Sequence, residues 1–279
     1  ESKQASQRFL EQCIAIKTNL ESLARELEHI ISSPLPRDRD SLEYAKRIHS
    51  DFELRLAQEE VPVKRFQETF RNIPLKTPAL KKSLDNLLDL WTEINSQSKL
   101  HGQRLKLLEE GLMELEINEQ VYEEVDADLS NFTVIPNRLE ELRDVLQRLH
   151  KLKSVVSAQQ FHIDKMNTAV DQLGRMGVPT KVVGDLKRIH STVEHFNVKW
   201  NNLERKLDTR IRECESAQSF MTNLRSSQVK EETWIDGATE ELMAMPPPTS
   251  AQELDVSRVF VCIDLIGHFE AIRSLSGKK

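Results

Sequence analysis

Ile189-His190-Ser191-Thr192-Val193-Glu194-His195-Phe196-Asn197-Val198-Lys199-Trp200-Asn201-Asn202-Leu203 is the stretch that decides the fold. Its residues Ile189, Val193, Phe196, Trp200 and Leu203 step by 4, 3, 4 and 3, which lines one face of a helix. The face extends upstream to Val182 and Leu186 and downstream to Leu207, Ile211 and Cys214. The same pattern stands earlier as Leu80, Leu84, Leu87, Trp91 and Ile94. Each of these precedes its counterpart by 109 residues, and Leu105 precedes Cys214 by the same offset. Six apolar positions with one shared offset mean that one structural unit is used twice.

Working outward, the first seam reads Phe9, Cys13, Ile16, Leu20, Leu23, Leu27, Ile30, and Pro34 and Pro36 stop it. A second begins near Asp40 and carries Leu42, Ala45, His49, Phe52, Leu56, Glu59, Val63, Phe66, Phe70 and Ile73. Pro62 lies inside it and predicts a kink there. The Trp91 seam continues through Ser98, His101, Leu105 and Leu108. No cluster of breakers follows; Gly111 is isolated, and pattern resumes at Leu112, Leu115, Tyr122, Val125 and Leu129. The third helix is therefore expected to run directly into the next unit. After a loop at 130–136, a further seam carries Leu142, Leu146, Leu149, Val156, Ile163, Val170 and Leu173, with Gly174, Gly177 and Pro179 as its expected stop.

A third unit opens near Phe220 with Leu224, Trp234, Ile235, Leu242 and Met245, stopped by three consecutive prolines from Pro246. A second helix over Leu254 to Leu275 follows, and the chain ends at Lys279. The expected fold is all-α: tandem left-handed antiparallel three-helix bundles joined by continuous helices into an elongated rod. The expected units are residues 1–110, 111–219 and a partial 220–279.

Composition agrees with long helices. Charged residues make up 30 %, hydrophobic residues 38 %, and there are only eight glycines. Acidic and basic residues, 45 and 39 in number, are interleaved as on solvated helix faces. No basic face stands out, so nucleic acid is not an expected partner. No apolar run approaches the roughly 20 residues of a membrane span; the stretch from Val259 to Ile266 is interrupted by Asp264. The first residue is Glu1, so the sequence reads as a piece of a longer protein. Cys13, Cys214 and Cys262 are odd in number and set in helical patterns, which reads as core cysteine in a reducing compartment.

Nothing in the pattern carries catalysis. There is no His-Glu-x-x-His, no Cys-x-x-Cys and no glycine-rich phosphate loop. His190 and His195 lie roughly 140° apart around their helix, so they do not share a metal. No enzymatic activity, cofactor or metal is expected. His49 and His101 occupy seam positions, either as tolerated core residues or as a layer that must stay neutral to remain buried. The cations Arg71, Lys76, Lys81 and Lys82 cluster in sequence near the end of the second helix, which raises contact with an anionic lipid surface as a further reading.

The unit length, three heptad helices per unit and fused helices resemble the spectrin repeat. The matching motif is a third-helix Trp with an apolar residue three positions on: Trp91 with Ile94, and Trp200 with Leu203. A basic residue near ten positions on is matched by His101 and Arg210. The first-helix Trp of the family is matched by Trp234, whereas Asn19-Leu20 and Val125 stand at that place in the earlier units. Such loss is typical of divergent arrays such as those of nesprins, dystrophin-like proteins and spectraplakins. The resemblance implies a core built on Trp91, Trp200, Trp234, Phe9, Leu20, Leu84, Leu87, Ile94, Val193, Phe196 and Leu203. It implies a structural spacer between cytoskeletal elements or between cytoskeleton and membrane. It further implies protein partners and a cytoplasmic, cytoskeleton-associated location at a membrane or the nuclear envelope, and it leaves two readings of the partial third unit: completion by a donated helix, or a repeat simply cut short in this sequence. The alternative is a docking scaffold within a large signalling protein.

Overall fold

The structure, a computed structural model, describes residues 2–244, 249–250 and 267. Every regular element among the described residues is helical: α1 (Ser2–Ile31), α2 (Arg39–Gln58), α3 (Glu60–Asn72), α4 (Pro78–Ser130), α5 (Leu139–Met176), a short 3-10 turn (Thr180–Val182) and α6 (Val183–Ala244). The chain divides into two compact units, Glu1–Ser216 and Ala217–Lys279. In the second unit the description covers the part of α6 up to Ala244, where Trp234 is partly buried. The helix expected over Leu254 to Leu275 lies outside the described residues.

Local chemistry sets the helix ends of the first unit. Asp38 caps α2 by accepting from the Ser41 N–H at 2.8 Å, and the Ser41 hydroxyl accepts from the Asp38 N–H at 3.2 Å. Thr77 caps α4 through the Leu80 N–H at 3.3 Å, with Pro78 at the first helical position, where its missing N–H costs nothing. Gly177 ends α5 at φ 71°, a conformation that side chains with a Cβ resist. Gly174 does not end α5, contrary to expectation. It is an interior helical position where a Cβ would meet the His190 ring at 3.2 Å, so its role is close helix approach.

Pro62 interrupts the second seam, and the interruption falls three residues before it, at Glu59, which ends α2 and begins α3. The proline ring has no N–H and conflicts with the carbonyl four residues earlier, at Gln58. Ending one helix at Gln58 places Pro62 in the first turn of the next, where it is tolerated.

Helices α1, α2, α3 and the first half of α4 share one core, with Phe9, Leu20, Phe52, Phe66 and Leu87 almost wholly buried. Phe9 stacks on Phe66 at 4.3 Å between ring centroids. Contacts run in opposite senses along α1 and α2–α3: Phe9 meets Phe66, Asn19 meets Glu59, and Glu26 is paired with Arg55. The second half of α4 packs on α5, with Leu142, Leu149, Met166 and Leu173 buried, and α5 in turn meets the first part of α6 through Asn167–Asn197 and Lys153–Glu204. Helix α4 is one uninterrupted element of 53 residues, about 80 Å long at 1.5 Å per residue.

Along α4 the buried face changes step in the middle. It runs 4-3 from Leu80 to Leu108 and then takes a second step of three to Gly111. Gly111, Glu114 and Asn118 are buried there, while Leu112 and Leu115 are only partly covered. The expected seam through Leu112 and Leu115 is thus corrected by about one residue. Gly111 is selected because a Cβ there would stand 3.1 Å from Val170 Cγ2 of α5.

Candidate functional site

The chemistry of the first unit lies in polar residues held between its helices. In the first core, α2 presents His49 and α4 presents Ser98, His101 and Arg104, all buried. His49 Nε2 lies 3.0 Å from the Ser98 carbonyl and 3.1 Å from its hydroxyl. Donation to the carbonyl places the ring proton on Nε2. Gly102 gives that ring its space, since a Cβ there would fall 3.0 Å from His49 Cε1. The rings of His49 and His101 meet edge to face with centroids 5.1 Å apart. Burial, then the neighbouring His49 and Arg104, pushes the His101 pKa down to about 4. Burial likewise lowers the pKa of Arg104, whose Nε is enclosed without a hydrogen-bond partner. At the rim, Lys46 bridges to Glu109 at 2.8 Å.

A second polar layer lies between α4 and α5. Glu114, 5 % exposed, accepts from Lys165 Nζ at 2.7 Å and pairs with His162 Nδ1 at 2.7 Å. Burial alone would raise its pKa, but the hydrogen bonds from Lys165 and His162 outweigh burial and hold it below the ordinary value. One turn on, Gln159 Nε2 donates to Asn118 Oδ1 at 2.8 Å, both side chains being buried. Fixed polar partners of this kind discriminate against slipped registers, because a shift leaves buried groups unpaired.

A third cluster joins the loop after α1 to the start of α6. The Leu35 N–H donates to Asp185 Oδ2 at 3.0 Å, and Arg188 Nη1 bonds Asp185 Oδ1 at 2.8 Å. Leu35 itself is buried.

Of the residues expected from sequence to build the core, Phe9, Leu20, Leu87, Ile94, Phe196, Trp200 and Leu203 are at most 3 % exposed, and Leu84 and Val193 are at most 9 % exposed. Trp91 differs. It is only partly buried, packed on the core's edge, and it lines an open groove with Leu56, Ala57 and Glu60, which flank the Glu59 break. Trp200 lies 6.0 Å from Phe196 between ring centroids, and its indole N–H is buried without a partner. His49 and His101, singled out separately, are brought together. Glu114, Asn118, Gln159 and Asp185 escaped sequence reasoning; the only signal was a polar residue at helical spacing from apolar ones. The Cys13 and Cys214 thiols are buried, and burial raises the pKa of both. Of the cluster Arg71, Lys76, Lys81 and Lys82, Lys76 stands 5.8 Å over the Phe70 ring.

Among the described residues no three His, Cys, Asp or Glu side chains are grouped to hold a metal ion, and no helix is long and apolar enough to cross a membrane. Compared with known proteins, the chain matches no family model and no curated protein.

Proposed function

We propose that the chain is a structural spacer segment built of spectrin-like three-helix repeats over residues 1–110 and 111–219, with a partial repeat over 220–279, acting between cytoskeletal elements or between cytoskeleton and membrane. The observation that carries this reading is α4, which contributes buried residues to one helix group from Leu80 to Leu108 and to the next from Gly111 to Val125 without a break. A shared helix transmits bending and torsion between neighbours, while separate cores let one repeat yield as another holds. The 109-residue offset between Trp91 and Trp200 gives the repeat length.

Pulling the full chain at its two ends tests the reading. Two principal rupture events are expected, each releasing about 109 residues, or roughly 35–40 nm of contour at about 3.5 Å per residue. Helices that peel away one at a time without resolved force peaks would sink the spacer assignment.

A further inference from the structure

The turn between α3 and α4 makes a corner of the first unit where cations collect. Arg71 lies in the last turn of α3, Lys76 stands in the connecting turn, and Lys81 and Lys82 lie near the start of α4; all four are exposed. None of the four is ion-paired among the described residues, and the neighbour of Lys76 is the Phe70 ring, 5.8 Å from its ammonium. Folding adds a fifth cation. Phe9 of α1 stacks on Phe66 and lies 5.6 Å from Phe70, and the Cys13 thiol reaches the Ser83 carbonyl at 3.8 Å. The first turns of α1 therefore run beside the end of α3 and the start of α4, which brings the exposed Arg8 to the same corner. The nearest acids along these helices are Glu11, Glu68 and Asp85. Each stands three residues farther from the corner than Arg8, Arg71 and Lys82 respectively, a setback of about 4.5 Å along the axis.

The same corner carries an apolar tip. Leu75 is 62 % exposed, between exposed Pro74 and Lys76. Ile73 and Leu80 are buried on either side of it, and the Thr77 cap fixes the start of α4, so the tip is held outward by a turn anchored at both ends. We propose that this corner docks on an anionic phospholipid bilayer, its five cations against the headgroups and Leu75 in the headgroup–acyl boundary. The charge selects an anionic partner. The leucine selects a lipid surface among anionic partners, because a phosphate backbone offers no apolar layer to receive it, and a protruding turn meets a plane without needing a matching groove. Screening limits opposition from the chain's overall charge of −6, since charges beyond roughly 10 Å are damped at about 0.1 M salt. The inference goes beyond the spacer reading: the corner holds a bilayer whether or not the chain bears force.

The test is co-sedimentation of the full chain with vesicles of phosphatidylcholine alone and of a phosphatidylserine-rich mixture. Binding is expected to the anionic vesicles only, and it should vanish at about 1 M salt, where the screening length shrinks to roughly 3 Å. Lys76→Gln, Lys81→Gln and Lys82→Gln together should weaken it about 100-fold, at about five-fold per cation. Removing three exposed cations of α5 instead, by Arg143→Gln, Arg148→Gln and Lys151→Gln, should leave most of the binding in place. Leu75→Ser should weaken binding about ten-fold, and the fluorescence of a Leu75→Trp variant should shift to the blue on anionic vesicles. Every altered side chain is exposed, so the helical circular dichroism should not change. Absence of binding to anionic vesicles, equal binding to neutral ones, or an equal loss in the two triple variants would each overturn the proposal. So would tighter binding of a glutamate-rich peptide or a single-stranded RNA than of anionic vesicles at the same salt, because the corner would then serve a polyanion without a lipid layer.

Discussion

His49 of α2 and His101 of α4 share one buried layer with ring centroids 5.1 Å apart, and neither ring has a carboxylate of its own within hydrogen-bonding distance. The nearest acid to His49 is Glu53, at 3.7 Å from Nε2 and largely exposed. Protonating His101 would bury a charge beside a second imidazole and a guanidinium. Its folded pKa of about 4 lies below the ordinary 6.5, so the unfolded state takes up the proton first as pH falls. Stability is therefore insensitive to this residue above pH 6.5 and declines between pH 6.5 and about 4. The full shift corresponds to about 3 kcal/mol. Urea unfolding at pH 7 and pH 5 should show a loss of about 2 kcal/mol that His101→Leu largely removes; an unchanged slope in the variant would refute the assignment.

The two tryptophans that share a repeat position should differ in worth. Trp200 is enclosed, and replacing it by Ala should cost about 3–5 kcal/mol. Trp91 edges an open groove, so Trp91→Ala should cost roughly half as much. Trp200→Phe should be milder than its lost area suggests, because it also removes an indole N–H that has no partner. Thermal or chemical melts of the three variants check the order.

Glu114→Gln should destabilise the α4–α5 contact by about 1–2 kcal/mol, discounted because Lys165 and His162 are more than a third exposed. The Glu114 pKa is depressed in the folded state, so its contribution is present above the ordinary carboxylate range and fades as pH falls through the lowered value. The gap between wild type and variant should accordingly narrow in acid. A gap that widens in acid would reverse the sign of the interaction.

Asp185→Ala removes the acceptor of the Leu35 N–H and frees Arg188. A loss of about 1 kcal/mol is expected, localised at the loop after α1. Hydrogen exchange at the Leu35 amide should accelerate while amides in the middle of α5 keep their protection. Uniform acceleration across the unit would show that the contact supports the whole fold rather than the junction.

Much of the all-helical architecture was readable because its determinants are local. The seam through Phe9, Cys13, Leu20 and Leu27 and the Gly177 stop each depend on a few neighbouring residues. What escaped was decided by tertiary neighbours. Gly174 looks like a helix stop until His190 is placed against it. Leu112 fits the apolar pattern better than Gly111, but only Gly111 tolerates the approach of Val170. Glu114 and Asn118 went unnoticed, since nothing local announces that Lys165, His162 and Gln159 will cover them.

The continuity of α4 has a consequence for how such a gene can change. Each residue turns the helix by about 100°, so a single inserted codon between Leu108 and Gly111 would rotate every later side chain by that angle relative to the earlier ones. Glu114 would then lose Lys165, Asn118 would lose Gln159, and Leu35 would no longer find Asp185 in reach. Insertions of seven residues nearly restore the phase, with a residual of about 20°. Length variation in this region is thus quantised, and an alignment of true relatives should show gaps in the loops at 32–38 and 131–138 but none within the middle of α4 except in whole heptads.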